Sequence, residues 1–145
     1  MIDKVKKTIL QAGDLLKEQA GNLSGTALER LIDIFEDWAE VFPSLVDYGF
    51  SMLNFSLSVG LSPGMTIFMR GETADFDEDR IKELLIENEG NKTMLSVLKT
   101  IQTTNSLYEK TTLEPCENIY LKIVIGIPPE IKVTFGELGY SIGEG

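Results

Sequence analysis

The amino-acid sequence predicts an α+β protein: two tandem helix-helix-β-hairpin units that form one mainly antiparallel four-stranded sheet packed against helices. Three observations lead to this prediction. Some segments repeat apolar residues at spacings of three and four, which is typical of amphipathic helices. Others alternate apolar and polar residues, which is typical of half-buried strands. The same order of segments recurs when the sequence is shifted by 66 positions.

Two helices are predicted before the first strand. Residues 2–20 carry a helical stripe of apolar side chains that ends near Gly21. The second helix is predicted to begin at Thr26, which forms a capping-box pattern with Glu29. Its stripe consists of Leu28, Leu31, Ile32, Phe35, Trp38, Ala39 and Phe42. Because proline interrupts helices, Pro43 is predicted to mark its end.

The first hairpin follows these helices. Apolar-polar alternation over residues 53–61 and 65–69 predicts two strands, each with one buried face. Their connection must contain an odd number of residues if both apolar sets are to face the same side. A three-residue loop satisfies this condition and would place Leu57 opposite Met69, with Gly64 in a left-handed turn position.

The second half begins with an acidic segment. A helix is predicted over residues 77–88, with Asp75 as its N-cap and the other acids near its positive N-terminal end. A further helix is predicted over residues 92–108, with Asn91 as its N-cap. Alternation over residues 119–127 and 131–135 then predicts the second hairpin.

The repeat relates these two halves. The 66-residue shift aligns Gly60 with Gly126 and Pro63 with Pro129 without a gap in the hairpins. We therefore expect a single domain over residues 1–145, built from approximate repeats 1–71 and 72–136. Residues 137–145 are rich in glycine and are expected to form a flexible tail.

Composition excludes several classes of protein. The chain has 145 residues, 23 acidic against 13 basic, for a net charge of −10, and it has no histidine. Nucleic-acid binding needs clustered lysine and arginine, so no nucleic-acid partner is expected. One cysteine cannot form an intrachain disulfide, and we find neither a signal peptide nor an apolar run long enough for a transmembrane segment. A cytoplasmic location is expected.

The acidic segment matches only the first part of a calcium-binding loop. Asp75, Asp77 and Asp79 have the spacing of the first three ligands of such a loop. Arg80 then occupies the position that requires glycine, and Ile86 occupies the position that requires glutamate. We therefore predict no metal site.

Catalytic patterns are equally incomplete. Ser96 and Lys99 fit the serine-lysine pattern, but its companion motifs are missing. Cys116 has no histidine to activate it. No glycine-rich loop opens a helix to hold a phosphate group. The sequence therefore predicts no catalytic residue, no cofactor and no enzymatic activity.

Two surfaces remain as candidates for binding a partner. Aromatic, apolar and basic residues share the outer face of the predicted strands, where several such side chains together suggest association. The alternative is that the first predicted helix covers this face. Acidic residues cluster between Glu72 and Glu89, where eight acids stand against two bases. The candidate partner-binding residues are Phe68, Tyr120, Lys122, Val124, Asp75, Asp77, Asp79 and Glu83.

Three hypotheses about function follow. The first is a small non-enzymatic intracellular protein that binds a protein partner or itself as a homo-oligomer. The second is a carrier of an apolar small molecule between helices and sheet, with Met52, Met65, Met69 and Met94 as adaptable walls. The third is an acidic mimic of nucleic acid that inhibits a partner enzyme by occupying its basic groove.

Overall fold

A computed structural model describes most of the chain. The described residues are 25–58, 63–111, 116–126 and 128–136, together with Lys7, Leu10, Gln11 and Asp14. Those four residues are helical and exposed, in agreement with the first predicted helix. The described residues do not include the rest of the first predicted helix, the Thr26 side chain of the predicted capping box, or residues 137–145.

The described segments contain three helices, one 3-10 turn and four strands. They are α1 (Gly25–Tyr48), β1 (Ser51–Ser58), β2 (Gly64–Glu72), the 3-10 turn (Thr73–Phe76), α2 (Glu78–Glu87), α3 (Lys92–Thr111), β3 (Asn118–Ile125) and β4 (Glu130–Phe135). The strands form one sheet in the order β1-β2-β3-β4, and every neighbouring pair is antiparallel. The predicted α+β class and the antiparallel four-stranded sheet are confirmed.

One face of the sheet packs against the helices. The inner-facing side chains of β2 and β3 are fully buried, as the alternation predicted, because each lies beneath apolar helix residues. They are Met65, Ile67, Met69, Ile119, Leu121, Ile123 and Ile125. The helices contribute buried residues such as Phe35, Phe42 and Ile101 to the same cluster. This core fixes which side chains of the strands face outward.

The predicted end of α1 at Pro43 is wrong. Pro43 lies inside the helix, which continues to Tyr48. The extra turn carries Leu45 into the core with no exposed area, and this burial offsets the backbone hydrogen bond that proline cannot donate. Gly49, with a φ of +128°, ends the helix. Its N–H donates to Val46 O, and the Phe50 N–H donates to Leu45 O, in a Schellman arrangement.

The predicted hairpin registers are wrong by four residues, although their parity is right. Leu57 lies opposite Met65 rather than Met69, and Ile131 lies opposite Ile123. The last pair of each hairpin, Ser58 with Gly64 and Val124 with Glu130, therefore encloses five residues. Gly64 does not take a left-handed turn position. It belongs to β2, where a Cβ atom would stand 2.6 Å from the Ile125 carbonyl oxygen.

A β-bulge changes the inner face of β1. Met52 pairs with Met69 and Asn54 with Phe68, so Leu53 is the extra residue. Met52, rather than the predicted Leu53, therefore continues the inner-facing set of Phe55 and Leu57. Alternation alone could not reveal this, because a bulge shifts the period by one residue.

The acidic helix α2 has a different cap from the predicted one. The Asp77 carboxylate, not that of Asp75, accepts a hydrogen bond from the Arg80 backbone N–H at 2.8 Å. The predicted cap of α3 is confirmed, since Asn91 Oδ1 accepts from the Met94 N–H at 3.0 Å. None of the helices in the described part of the chain combines the length and hydropathy needed to cross a bilayer.

Candidate interaction surface

The outer face of the sheet brings together four of the residues that the sequence singled out. Phe68 lies opposite Lys122 across the β2/β3 ladder, and Tyr120 and Val124 flank Lys122 at alternate positions of β3. All four side chains are half-buried. They form one patch, defined by these four residues and called the outer patch below.

A cation-π contact joins the two strands at the centre of the outer patch. The Lys122 ammonium group lies 5.9 Å from the centre of the Phe68 ring, within the range where the ring quadrupole attracts a cation. On its other side Lys122 faces Lys132 of β4, so two like charges stand directly opposite each other. Like charges in this arrangement repel, and an acidic group from outside the chain would relieve them.

Within the described part of the chain, the helices pack on the opposite face. Their buried side chains share one cluster with the inner-facing residues of β2 and β3. Outer positions such as Thr66, Phe68 and Val124 keep part of their surface, whereas their neighbours Ile67 and Ile123 have none exposed. The outer patch is therefore accessible as far as the described residues extend.

The acidic candidates form a separate group on the helical side of the sheet. Asp75 lies in the 3-10 turn, Asp77 is the N-cap of α2, and Asp79 lies in the first turn of α2. Glu83 lies 3.7 Å from the Arg80 guanidinium group. All four acids are exposed. Two of them therefore have local structural roles, and the group does not adjoin the outer patch.

Sequence reasoning did not identify a third feature, the outer edge of β1. Over eight residues, Ser51–Ser58, this edge strand has neither a charged residue nor a proline. Met52 and Leu53 are 38% and 46% exposed. Natural edge strands usually carry charge or proline that blocks pairing with another chain. The run of uncharged residues is visible in the sequence, but only the strand order of the structure shows that it lies at an edge of the sheet.

Both edges of the sheet end without a further strand among the described residues. β1 pairs only with β2, and β4 pairs only with β3. The inner-facing side chains on these edges are only partly buried; they are Phe55, Leu57, Ile131, Val133 and Phe135. Among the described residues, each edge therefore has backbone groups without a strand partner beside half-covered apolar side chains. At β4 one of these side chains, Phe135, stacks on Tyr108 of α3 with ring centres 5.8 Å apart.

Of the methionines predicted to line a ligand space, Met52 is 38% exposed on β1. Met65, Met69 and Met94 are fully buried in the packed core. A groove of about 430 Å³ lies elsewhere, between the start of α2 and the C-terminal half of α3. Its lining is largely polar and consists of Glu78, Ile81, Gln102, Thr103, Asn105, Ser106, Leu107 and Glu109. This groove lacks the apolar walls that a hydrophobic ligand requires.

The candidate catalytic groups have structural partners. Ser96 Oγ donates to the Lys92 carbonyl oxygen at 3.0 Å, one helical turn earlier. Cys116 is half-buried, with its Sγ 3.7 Å from the Asn118 carbonyl oxygen. In the segments that the structure describes, no three Cys, Asp or Glu side chains are grouped to hold a metal ion.

Fold and surface together define an α+β protein with a four-stranded antiparallel sheet whose described helices cover one face. Comparison of the chain with protein-family models, with curated proteins and with solved structures found no match.

Proposed function

We propose that this chain is a small, non-enzymatic, cytoplasmic protein that works by binding proteins and associates with copies of itself. The observation that carries the proposal is the edge of β1, which has no charged residue, no proline and no second strand partner among the described residues. An uncharged, proline-free edge strand is a template for backbone pairing with another chain. Recognition by strand addition is a common mode of protein association.

The outer patch supports the same proposal. Aromatic side chains are enriched where proteins bind one another. Phe68 and Tyr120 supply the aromatic area, and Lys122 supplies a cation that is already repelled by Lys132. A partner that meets this patch would present an acidic group to Lys122.

The secondary structure supports the proposal of two tandem units, over residues 1–71 and 72–136. Ser58 pairs with Gly64 in the first hairpin, and Val124 pairs with Glu130 in the second. Both residues of the second pair lie 66 positions after those of the first. α1 and α3 each precede their hairpin in the same order. The acidic helix α2 would be the most divergent part of the second unit.

The two alternative hypotheses receive different support. An apolar-ligand carrier is less favoured, since Met65, Met69 and Met94 are packed in the core and the groove between α2 and α3 is lined largely by polar residues. The nucleic-acid mimic retains the exposed acids Asp75, Asp77, Asp79 and Glu83. Replacing those four with amides should leave self-association unchanged if the edge of β1 drives it.

The proposal is tested by the mass of the full chain in solution. We expect native mass spectrometry and light scattering to give multiples of the 16.1 kDa protomer that increase with concentration. Ser56→Lys, which adds a charge to the edge of β1, should shift the population toward the protomer. Ser106→Lys adds the same charge to the exposed surface of α3 and serves as the control.

A protomer mass at every concentration would overturn self-association. An oligomer that is equally insensitive to Ser56→Lys and Ser106→Lys would leave self-association standing and overturn the proposed role of the β1 edge in it. Thermal unfolding of each variant establishes that both remain folded.

A further inference from the structure

We propose that copies of this chain join head to tail, with β4 of one copy pairing antiparallel with β1 of the next. The inference rests on the self-association proposed above and specifies its geometry, its register and its direction. It follows from the way the chain already joins its own two hairpins.

The two hairpins have the same register. Phe55 pairs with Ile67 and Leu57 with Met65 in the first. Adding 66 to each of these residue numbers gives Leu121 with Val133 and Ile123 with Ile131. Both pairs are observed in the second hairpin. β1 therefore corresponds to β3, and β2 corresponds to β4. The correspondence is a translation along the sheet rather than a twofold rotation, because the strand order is β1-β2-β3-β4.

A translation leaves two complementary edges. The edge of β4 that has no strand partner among the described residues corresponds to the edge of β2 that pairs with β3. The outer edge of β1 corresponds to the edge of β3 that pairs with β2. The β2/β3 junction inside one copy is thus a template for a β4/β1 junction between copies.

The template fixes which residues should meet. Ile67 pairs with Ile123 at the internal junction, and a shift of both strands by one repeat places Val133 opposite Leu57 of the next copy. The other internal pairs are Met69 with Leu121, Thr66 with Val124 and Phe68 with Lys122. The same shift places Phe135 opposite Phe55, Lys132 opposite Ser58 and Thr134 opposite Ser56 of the next copy.

Burial supports this register. Leu121 and Ile123, which have a strand on each side, have no exposed area. Their counterparts Phe55 and Leu57 are only partly buried. On the opposite edge, Val133 is partly buried, whereas its counterpart Ile67 is fully buried. Apolar side chains that are half-covered at both edges would cover one another in the junction.

The polar face of the junction is also compatible. β1 brings no charged residue to it, so Lys132 would face Ser58 and no like charges would meet. A head-to-tail contact does not close on itself as a dimer, and its repetition gives either a ring or an open fibre. We therefore expect species beyond the dimer.

Disulfide trapping tests the register. In a Cys116→Ser background, one protein carries Ser56→Cys and a second carries Thr134→Cys. Residues directly opposite each other on antiparallel strands have Cα atoms about 4.5–5.5 Å apart, within the range a disulfide spans. Within one copy, β1 and β4 are separated by two strands, about 14 Å in all. Such a bond must therefore join different copies.

We expect the mixture to form a covalent dimer under oxidation, and neither protein alone to do so. A single chain that carries both substitutions should give a ladder of covalent oligomers. The matched control pairs Ser58→Cys with Thr134→Cys, which lie on the diagonal at about 7–8 Å and should crosslink at least tenfold less.

Each other outcome is decisive. A covalent dimer from the Ser56→Cys protein alone would indicate a symmetric β1/β1 contact and overturn the head-to-tail arrangement. Equal crosslinking of the direct and diagonal pairs would overturn the register. An oligomeric mass with no crosslink would overturn this inference while self-association stands, whereas a protomer mass throughout would remove both.

Discussion

Gly64 at the start of β2 lies against the backbone of Ile125 at the end of β3. A Cβ atom on Gly64 would stand 2.6 Å from the Ile125 carbonyl oxygen, closer than any real contact of this kind. β2 and β3 can therefore pair at this point only because Gly64 has no side chain. The close approach joins residues that are far apart in the sequence.

The first prediction follows from this contact. Gly64→Ala should lower the free energy of unfolding by about 1–3 kcal/mol, because the neighbour is backbone and cannot move aside cheaply. Denaturant unfolding measures the change. Gly90→Ala is the control, since a Cβ there meets nothing within 4 Å, and its φ is not in the left-handed region. We expect it to be neutral or stabilising by up to about 1 kcal/mol. Equal effects would contradict the steric explanation.

Gly71 makes room for an aromatic pair. Phe50 and Phe76 stack with ring centres 4.5 Å apart, and a Cβ on Gly71 would lie 2.8 Å from the Phe50 ring. Gly71→Ala should cost about 1–3 kcal/mol of stability in the native background. With Phe50→Leu already present, the same change should cost less, with a coupling energy of about 0.5–3 kcal/mol. Strict additivity in the four-protein cycle would show that the ring is not the obstacle.

The N-cap of α2 provides a third prediction. Asp77→Ala removes the acceptor of the Arg80 N–H and should lower the free energy of unfolding by about 1 kcal/mol. Asp77→Asn keeps an oxygen acceptor and should retain most of this stability. Asp75→Ala tests the cap that the sequence predicted, and it should lower the stability less than Asp77→Ala does. Thermal unfolding in which Asp75→Ala had the larger effect would argue against the cap at Asp77.

A charge at Ser58 tests the proposed junction without crosslinks. In the head-to-tail register Ser58 faces Lys132 of the next copy, so Ser58→Glu should strengthen self-association and Ser58→Lys should weaken it. Cross-strand pairs of this kind contribute about 0.2–1 kcal/mol, which corresponds to a change in Kd of up to about fivefold. Analytical ultracentrifugation measures the two Kd values.

The matching changes at Ser106, which is exposed on α3, control for net charge. Added salt should reduce the difference between Ser58→Glu and Ser58→Lys, since exposed charges are screened. If Ser58→Glu and Ser58→Lys changed the Kd in the same direction, the effect would come from a disturbed β1 edge and not from contact with Lys132.

Most of the elements could be predicted because their signals are local. The alternation of β2 placed Ile67 inside and Phe68 outside, as observed, since successive Cβ atoms of a strand point to opposite faces. The outer patch followed from the same alternation. Asn91 as the cap of α3 was equally predictable, because its hydrogen bond reaches only three residues along the chain.

The sequence by itself therefore determined the kinds of element, the α+β class and which side chains of each strand share a face. Only the tertiary structure decided where α1 ends, how the strands are aligned and which strand lies at the edge. Pro43 stays inside α1 because Leu45 is buried against the core, and the register depends on the approach of Gly64 to Ile125. These outcomes depend on contacts between distant segments, which no local spacing encodes.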